Sequence, residues 1–156
     1  MSFMNGKDAI SGSLADCYVT IEGNRYHMLQ AINLEASVEK NKVEVPVLGK
    51  TGKANKATGW SGTGTMTLHY NTSIFRQLLY RYMKTGEDIY FDIQISNEDP
   101  TSVAGTQTTI LKNCNLDGGI LAKFDADADY LDEEVSFTFD DIEIPEEFIN
   151  LPGMTE

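Results

Sequence analysis

Cysteine is scarce in this chain, with only Cys17 and Cys114 among 156 residues. Two isolated thiols exclude a disulfide framework and a thiolate zinc site, and each falls on the apolar side of an alternating stretch, which makes both core residues. Basic residues are few as well: 12 Lys and Arg stand against 24 Asp and Glu, a net charge of -12. That balance works against free affinity for nucleic acid or for acidic membranes, both of which require positive surface. Long apolar runs are missing, since no stretch approaches the ~18 residues of a spanning helix. The opening MSFMNGKDAISG has no basic segment leading into an apolar one, so synthesis and folding in the cytoplasm are expected. Histidine is reduced to His27 and His69, neither with a nucleophile or second ligand at short spacing, and both read as ordinary strand histidines.

The length fits one domain, 1–156, able to bury a substantial core without metal or disulfide staples. Residues 1–13 are small and polar and predict an arm with little structure of its own. Ala15, Cys17, Val19 and Ile21 alternate with Asp16, Thr20 and Glu22, the period of a half-buried strand, and Gly23-Asn24 turns the chain into a returning strand over 25–29. Ile32, Leu34, Ala36 and Val38 mark a third strand. Val43, Val45 and Val47 resume after a short break, with Pro46 confining that piece to an edge or a protruding arm.

Gly49 to Gly59 reads as a loop. Trp60, Met66, Leu68 and Tyr70 then share a strand face with Gly62 and Gly64, opposite Ser61, Thr63, Thr65, Thr67 and His69. Asn71-Thr72-Ser73 offers N-cap chemistry to a helix of about three turns carrying Ile74, Phe75, Leu78, Leu79 and Tyr82, which Gly86 closes. Strands are predicted over 89–95, 106–116, 120–128 and 135–139, with a hairpin at Asp117-Gly118-Gly119. The tail from Ile144 is apolar but too rich in proline for a long element. The fold class is therefore mainly β: a sandwich or barrel of about seven or eight strands, one flanking α-helix, and extended arms.

The motifs that would carry chemistry fail on inspection. Gly49-Lys50-Thr51 resembles the end of a phosphate-binding loop, but Glu44 stands where a glycine is needed and no helix follows. Gly59-Trp60-Ser61-Gly62 lacks the second glycine of a nucleophile elbow, since Thr63 stands there. Asp125, Asp127 and Asp129 have the spacing that begins an EF-hand loop, yet Tyr130 replaces the turn glycine and Ser136 the bidentate glutamate. Alternation instead places these carboxylates in one solvated row on the predicted strand. No catalytic, cofactor-binding or metal-ligating set emerges, and no cofactor is expected.

Charge is unevenly spread. Lys40, Lys42, Lys50, Lys53 and Lys56 stand against Glu44, a local net of +4, whereas 117–156 carries thirteen acidic residues against Lys123, a net of -12. Such separation fits head-to-tail contact between copies, and equally a soluble acidic surface bearing a lysine-rich loop.

The order of these features, above all GKTGKANKATGWSGTGTMTLHYNTSIFRQLLYRYMKTG, resembles the tail tube (inner tube) proteins of contractile phage tails and R-type tail-like bacteriocins, nearest to the Gram-positive defective-prophage and diffocin type. The resemblance implies a non-enzymatic subunit that assembles into stacked six-membered rings around a bore. The sheath would drive that tube through a target envelope, and the bore would conduct DNA or ions. On this reading 41–59 is a basic inter-subunit loop, with Lys50, Lys53 and Lys56 meeting acidic groups such as Asp125, Asp127 and Asp129 of another copy. Residues 144–156 form a C-terminal arm with Phe148 and Ile149 as contacts. Thr63, Thr65 and Thr67 are bore candidates, and Arg76, Arg81 and Lys84 lie outside near the sheath. Implied partners are further copies, the sheath, the tape-measure protein, the baseplate or initiator and the terminator. DNA would be non-specific cargo, and the free subunit would not bind membranes. Assembly would occur in the host cytoplasm, ahead of release as a virion tail or extracellular particle. A monomeric β-sandwich that binds carbohydrate or protein through 49–59 is the competing expectation.

Overall fold

The computed structural model describes residues 3–155; the ends of both terminal arms, Met1, Ser2 and Glu156, lie outside the described residues. Its strands are β1 (Ala15–Ile21), β2 (Asn24–His27), β3 (Ala31–Pro46), β4 (Lys53–His69), β5 (Phe91–Glu98), β6 (Thr106–Gly118), β7 (Asp132–Phe139) and β8 (Asp141–Glu146), with one helix, α1 (Ile74–Thr85). The fold is mainly β with a single helix, as expected. All eight strands belong to one antiparallel sheet in the order β2-β1-β5-β6-β7-β4-β3, with β8 also on β6.

The sheet folds back on itself through β6. Residues 108–112 of β6 pair with β8, while 115–118 pair with β7. Between these partners Asn113 takes φ 54°, a left-handed conformation that asparagine tolerates better than most residues. Asp140 turns β7 into β8, and its N–H donates to Lys112 O at 3.1 Å. Val19 and Ile21 from one half and Met66, Leu68 and Phe137 from the other consequently share one buried cluster. Phe75 of α1 joins that cluster against Phe91, with ring centroids 5.7 Å apart. Thr72 Oγ1 accepts from Ile74 N–H at the start of α1. Gly86 ends it at φ 76°, donating to Tyr82 O at 2.8 Å, the left-handed cap that glycine adopts without a Cβ penalty.

Several boundaries differ from the sequence expectation. β3 runs unbroken through 40–42, and β4 begins at Lys53, so most of 49–59 is strand and only 47–52 is loop. Of the two strands, which pair only with each other there and bury no side chains, the β3 half shows its alternation in Val43 and Val45, while the lysine-rich β4 half carries no apolar period to read. The expected strand over 120–128 does not form: no strand interrupts 119–131, and its Asp125, Asp127 and Asp129 are exposed. Conversely β8 forms despite Pro145, because it is hydrogen-bonded on one side only, to β6, where a missing N–H is harmless. The first turn uses Glu22 and Gly23, both at positive φ, rather than Gly23-Asn24.

The N-terminal segment has partners of its own. Asp8 is buried, its Oδ1 accepts from Val103 N–H at 3.2 Å, and its carbonyl accepts from Ser102 Oγ at 2.8 Å. Asp99 accepts from Ser11 N–H and Thr101 N–H, which hold its carboxyl below the usual range. Ile149 N–H reaches Ala104 O at 2.8 Å, so both ends of the described chain meet the loop between β5 and β6.

Candidate functional site

The most ordered surface feature is one face of the β3–β4–β7 sheet. Register sets its rows: Asn33, Thr67 and Glu134 lie abreast, then Glu35, Thr65 and Ser136, then Ser37, Thr63 and Thr138, and finally Glu39 beside Ser61. All are exposed or half-buried, while their neighbours Gly62, Gly64, Met66, Leu68, Val135 and Phe137 are buried beneath. The face carries hydroxyls, one amide and the carboxylates of Glu35, Glu39 and Glu134, without a cation. Chemically it is a hydrated, weakly acidic wall that offers nothing for a polyanion to grip. Thr63, Thr65 and Thr67 were legible from alternation on one strand. The β3 and β7 members were not, because they join the face only through pairing with β4.

Gly62 and Gly64 flatten the underside of this wall. A Cβ on Gly62 would lie 2.4 Å from Phe139 Cε2, and one on Gly64 2.4 Å from Phe137 Cζ. Each glycine pairs with the phenylalanine that covers it, so their role is to seat aromatic rings from the adjacent strand.

Beyond the body, 40–46 and 53–59 project as a two-stranded ribbon, since β7 pairs with β4 only from Gly62 onward. Thr58 is an extra residue between the pairs Asn41–Gly59 and Lys42–Ala57, and its hydroxyl donates to Asn41 O at 3.1 Å. Past this bulge Lys56 lies opposite Val43 and Lys53 opposite Pro46, which puts the two lysines on opposite faces. Lys53 Nζ approaches Glu44 at 3.8 Å, an exposed pair of small energetic weight. Lys50 sits in the tip. The structure therefore spreads the three expected contact lysines over both faces and the end of a ribbon.

The acidic segment is a loop, not a strand row. Asp125 Oδ1 accepts from Asp127 N–H at 3.1 Å, and Lys123 Nζ donates to Asp132 O at 2.8 Å. Among the described residues no group of three or more His, Cys, Asp or Glu is placed to hold a metal. Phe148 is half-buried and Ile149 exposed. On α1, Arg81 is half-buried and pairs with Glu22, and Lys84 is exposed. Arg76 corrects the expectation of an outward helix face: its guanidinium bonds Glu133, which is 3% exposed, and also bonds Thr72 O and stacks over Tyr70. Desolvation pushes the Glu133 carboxyl up, and Arg76 opposes this. Burial raises Cys17 to about 11 and Cys114 to about 12, which keeps both as thiols rather than nucleophiles.

A curled antiparallel sheet with one helix, a long ribbon and an extended polar face is the architecture to be compared with known proteins. A sequence profile described as "Phage tail tube protein" matches residues 2–146. The chain belongs to that family. It is 38% identical over 143 residues to the phage-like element PBSX protein XkdM of Bacillus subtilis (strain 168), covering 92% of this chain and 95% of that protein. Its fold is similar to a chain of the anti-feeding prophage baseplate (TM-score 0.64, 12% identity, 92% and 97% covered). It is similar also to the SPP1 tail tube (TM-score 0.61, 10% identity, 94% and 84% covered). The protein is thus a non-enzymatic, structural tail tube protein of the phage type.

Proposed function

We propose that this subunit closes into six-membered rings that stack into a rigid tube, with the Glu35–Thr65–Ser136 face turned to the bore. The observation that carries this reading is the uninterrupted polar face that β3 shares with β4 and β7, the two strands whose other side is core. A bore lined with hydroxyls and carboxylates lets DNA or ions pass without sticking. Ring closure would also cover the free edge of β3, which is otherwise open to unwanted strand pairing. The ribbon, with Lys50, Lys53 and Lys56, reaches an adjacent ring and meets acidic groups there. Phe148, Ile149 and the N-terminal segment make further inter-subunit contacts.

In the particle the tube would engage the sheath, the tape-measure protein, an initiator at the baseplate and a terminator, after assembly in the host cytoplasm. Sheath contraction would drive it through the target envelope. The free subunit would have no membrane affinity, and DNA would be cargo in a phage and absent from a tail-like bacteriocin.

Lysine reversal tests the ribbon. The triple variant Lys50→Glu, Lys53→Glu, Lys56→Glu should keep its circular dichroism and melting temperature, because all three side chains are exposed. Sedimentation should show rings or monomers where the parent protein forms tubes. Tubes of normal length and yield would remove these lysines from the stacking contact.

A further inference from the structure

A groove of about 660 Å³ opens beside the root of the ribbon, lined by Leu34, Val38, Trp60, Ile95, Phe139 and Ile142. Trp60 is 45% exposed and Val38 62%, an apolar concavity of a kind that marks an interaction site on a soluble chain. Lys40 stands on its wall. Lys42 follows on the same side of β3.

The chain also carries a projection to match. Phe124 is 92% exposed and Leu121 52%, and the sequence continues at once into Asp125, Asp127 and Asp129. The two features lie at opposite ends of β7. Lys123 is tied to Asp132, which pairs with His69 at the start of β7, whereas Phe139 at the far end of that strand lines the groove. Those ends are separated by seven residue steps, about 23 Å, so Phe124 does not reach the groove of its own chain.

We propose that the groove seats Phe124 from a second copy, with Lys40 and Lys42 facing that copy's Asp125 and Asp127. This deepens the stacked-tube reading and rests on it. A contact joining one end of a subunit to the opposite end of the next is heterologous, and it propagates along an axis. Other exposed apolar groups fit less well. Leu48 sits between Lys42 and Lys50 in the ribbon, so docking it would bring like charges together. Ile149 is already held through its backbone by Ala104.

Trp60 is the only tryptophan of the chain, so the groove reports on its own occupancy. Assembly of the parent protein should move Trp60 emission to shorter wavelength as water leaves the groove. Phe124→Ala, an exposed substitution, should melt like the parent, form rings, and lose both stacking and the emission shift. The double variant Val38→Cys, Phe124→Cys should give covalent oligomer ladders on oxidation, while either single variant should not. Tubes of Phe124→Ala with the parental emission shift would overturn the groove assignment and leave the tube reading standing. A parent protein that forms neither rings nor tubes, even with its initiator present, would overturn both.

Discussion

Gly64→Val is expected to be the most damaging single substitution in the sheet. The new Cβ would fall 2.4 Å from Phe137 Cζ and 3.1 Å from Glu35 O, and neither neighbour can give way. Phe137 is 1% exposed at the centre of the core, and Glu35 O belongs to the adjacent strand. Overpacking of this kind costs about 3 kcal/mol, which for a chain of this size lowers the melting temperature by about 10 °C. Gly59→Ala is the control, since its Cβ would meet only Asn41 Nδ2, at 3.9 Å. Thermal melts followed by circular dichroism check the pair. Equal melting temperatures would show that the phenylalanine rings do not rest on these glycines.

Arg76→Met should be nearly as costly, for a different reason. Glu133 is 3% exposed, and removing its partner strands a buried carboxylate, a change worth about 3–5 kcal/mol. The sign of the pH dependence follows. Arg76 holds the Glu133 pKa down against desolvation, so its loss sends that pKa further up. The folded variant then keeps a proton that the unfolded chain releases, and stability falls as pH rises from the ordinary glutamate range through the raised value. Urea denaturation should therefore show a large deficit near pH 7 that shrinks toward about pH 4. Adding Glu133→Leu should recover much of the loss, because an apolar pair needs no compensation. A deficit independent of pH would mean that Arg76 acts by packing over Tyr70 rather than by charge.

Legibility in the sequence followed the range of the interaction. α1 was readable because Phe75, Leu78 and Tyr82 recur within one turn of each other and Gly86 caps locally. β4 was readable because Gly62, Gly64, Met66 and Leu68 alternate with hydroxyl residues along one strand. The segment 120–128 misled for the same reason: its alternation is as regular, but it pairs with no strand of the sheet, and alternation without a partner does not make a strand. β8 was hidden by Pro145, which a one-sided strand tolerates. The β3 half of the ribbon was read from Val43 and Val45, while its β4 half was hidden by its lysines and lack of core-facing residues.

The candidate site was legible only in part. Thr63, Thr65 and Thr67 lie on one strand and were visible. Glu35, Ser37 and Glu39 become their neighbours only through the β3–β4 register, and Glu134, Ser136 and Thr138 only through β4–β7. The Arg76–Glu133 pair spans 57 positions, and no local pattern announces it. The groove at Trp60 is built from β3, β4, β5, β6, β7 and β8 together, so only the folded chain reveals it.

The most direct test of the central claim is cryo-electron microscopy of tubes assembled from the purified subunit, with its initiator if nucleation requires one. The account predicts a hollow tube of stacked six-membered rings whose bore is lined by Glu35, Thr63, Thr65, Glu134 and Ser136. A tube with that face turned outward, or a chain that stays monomeric with its initiator present, would contradict it.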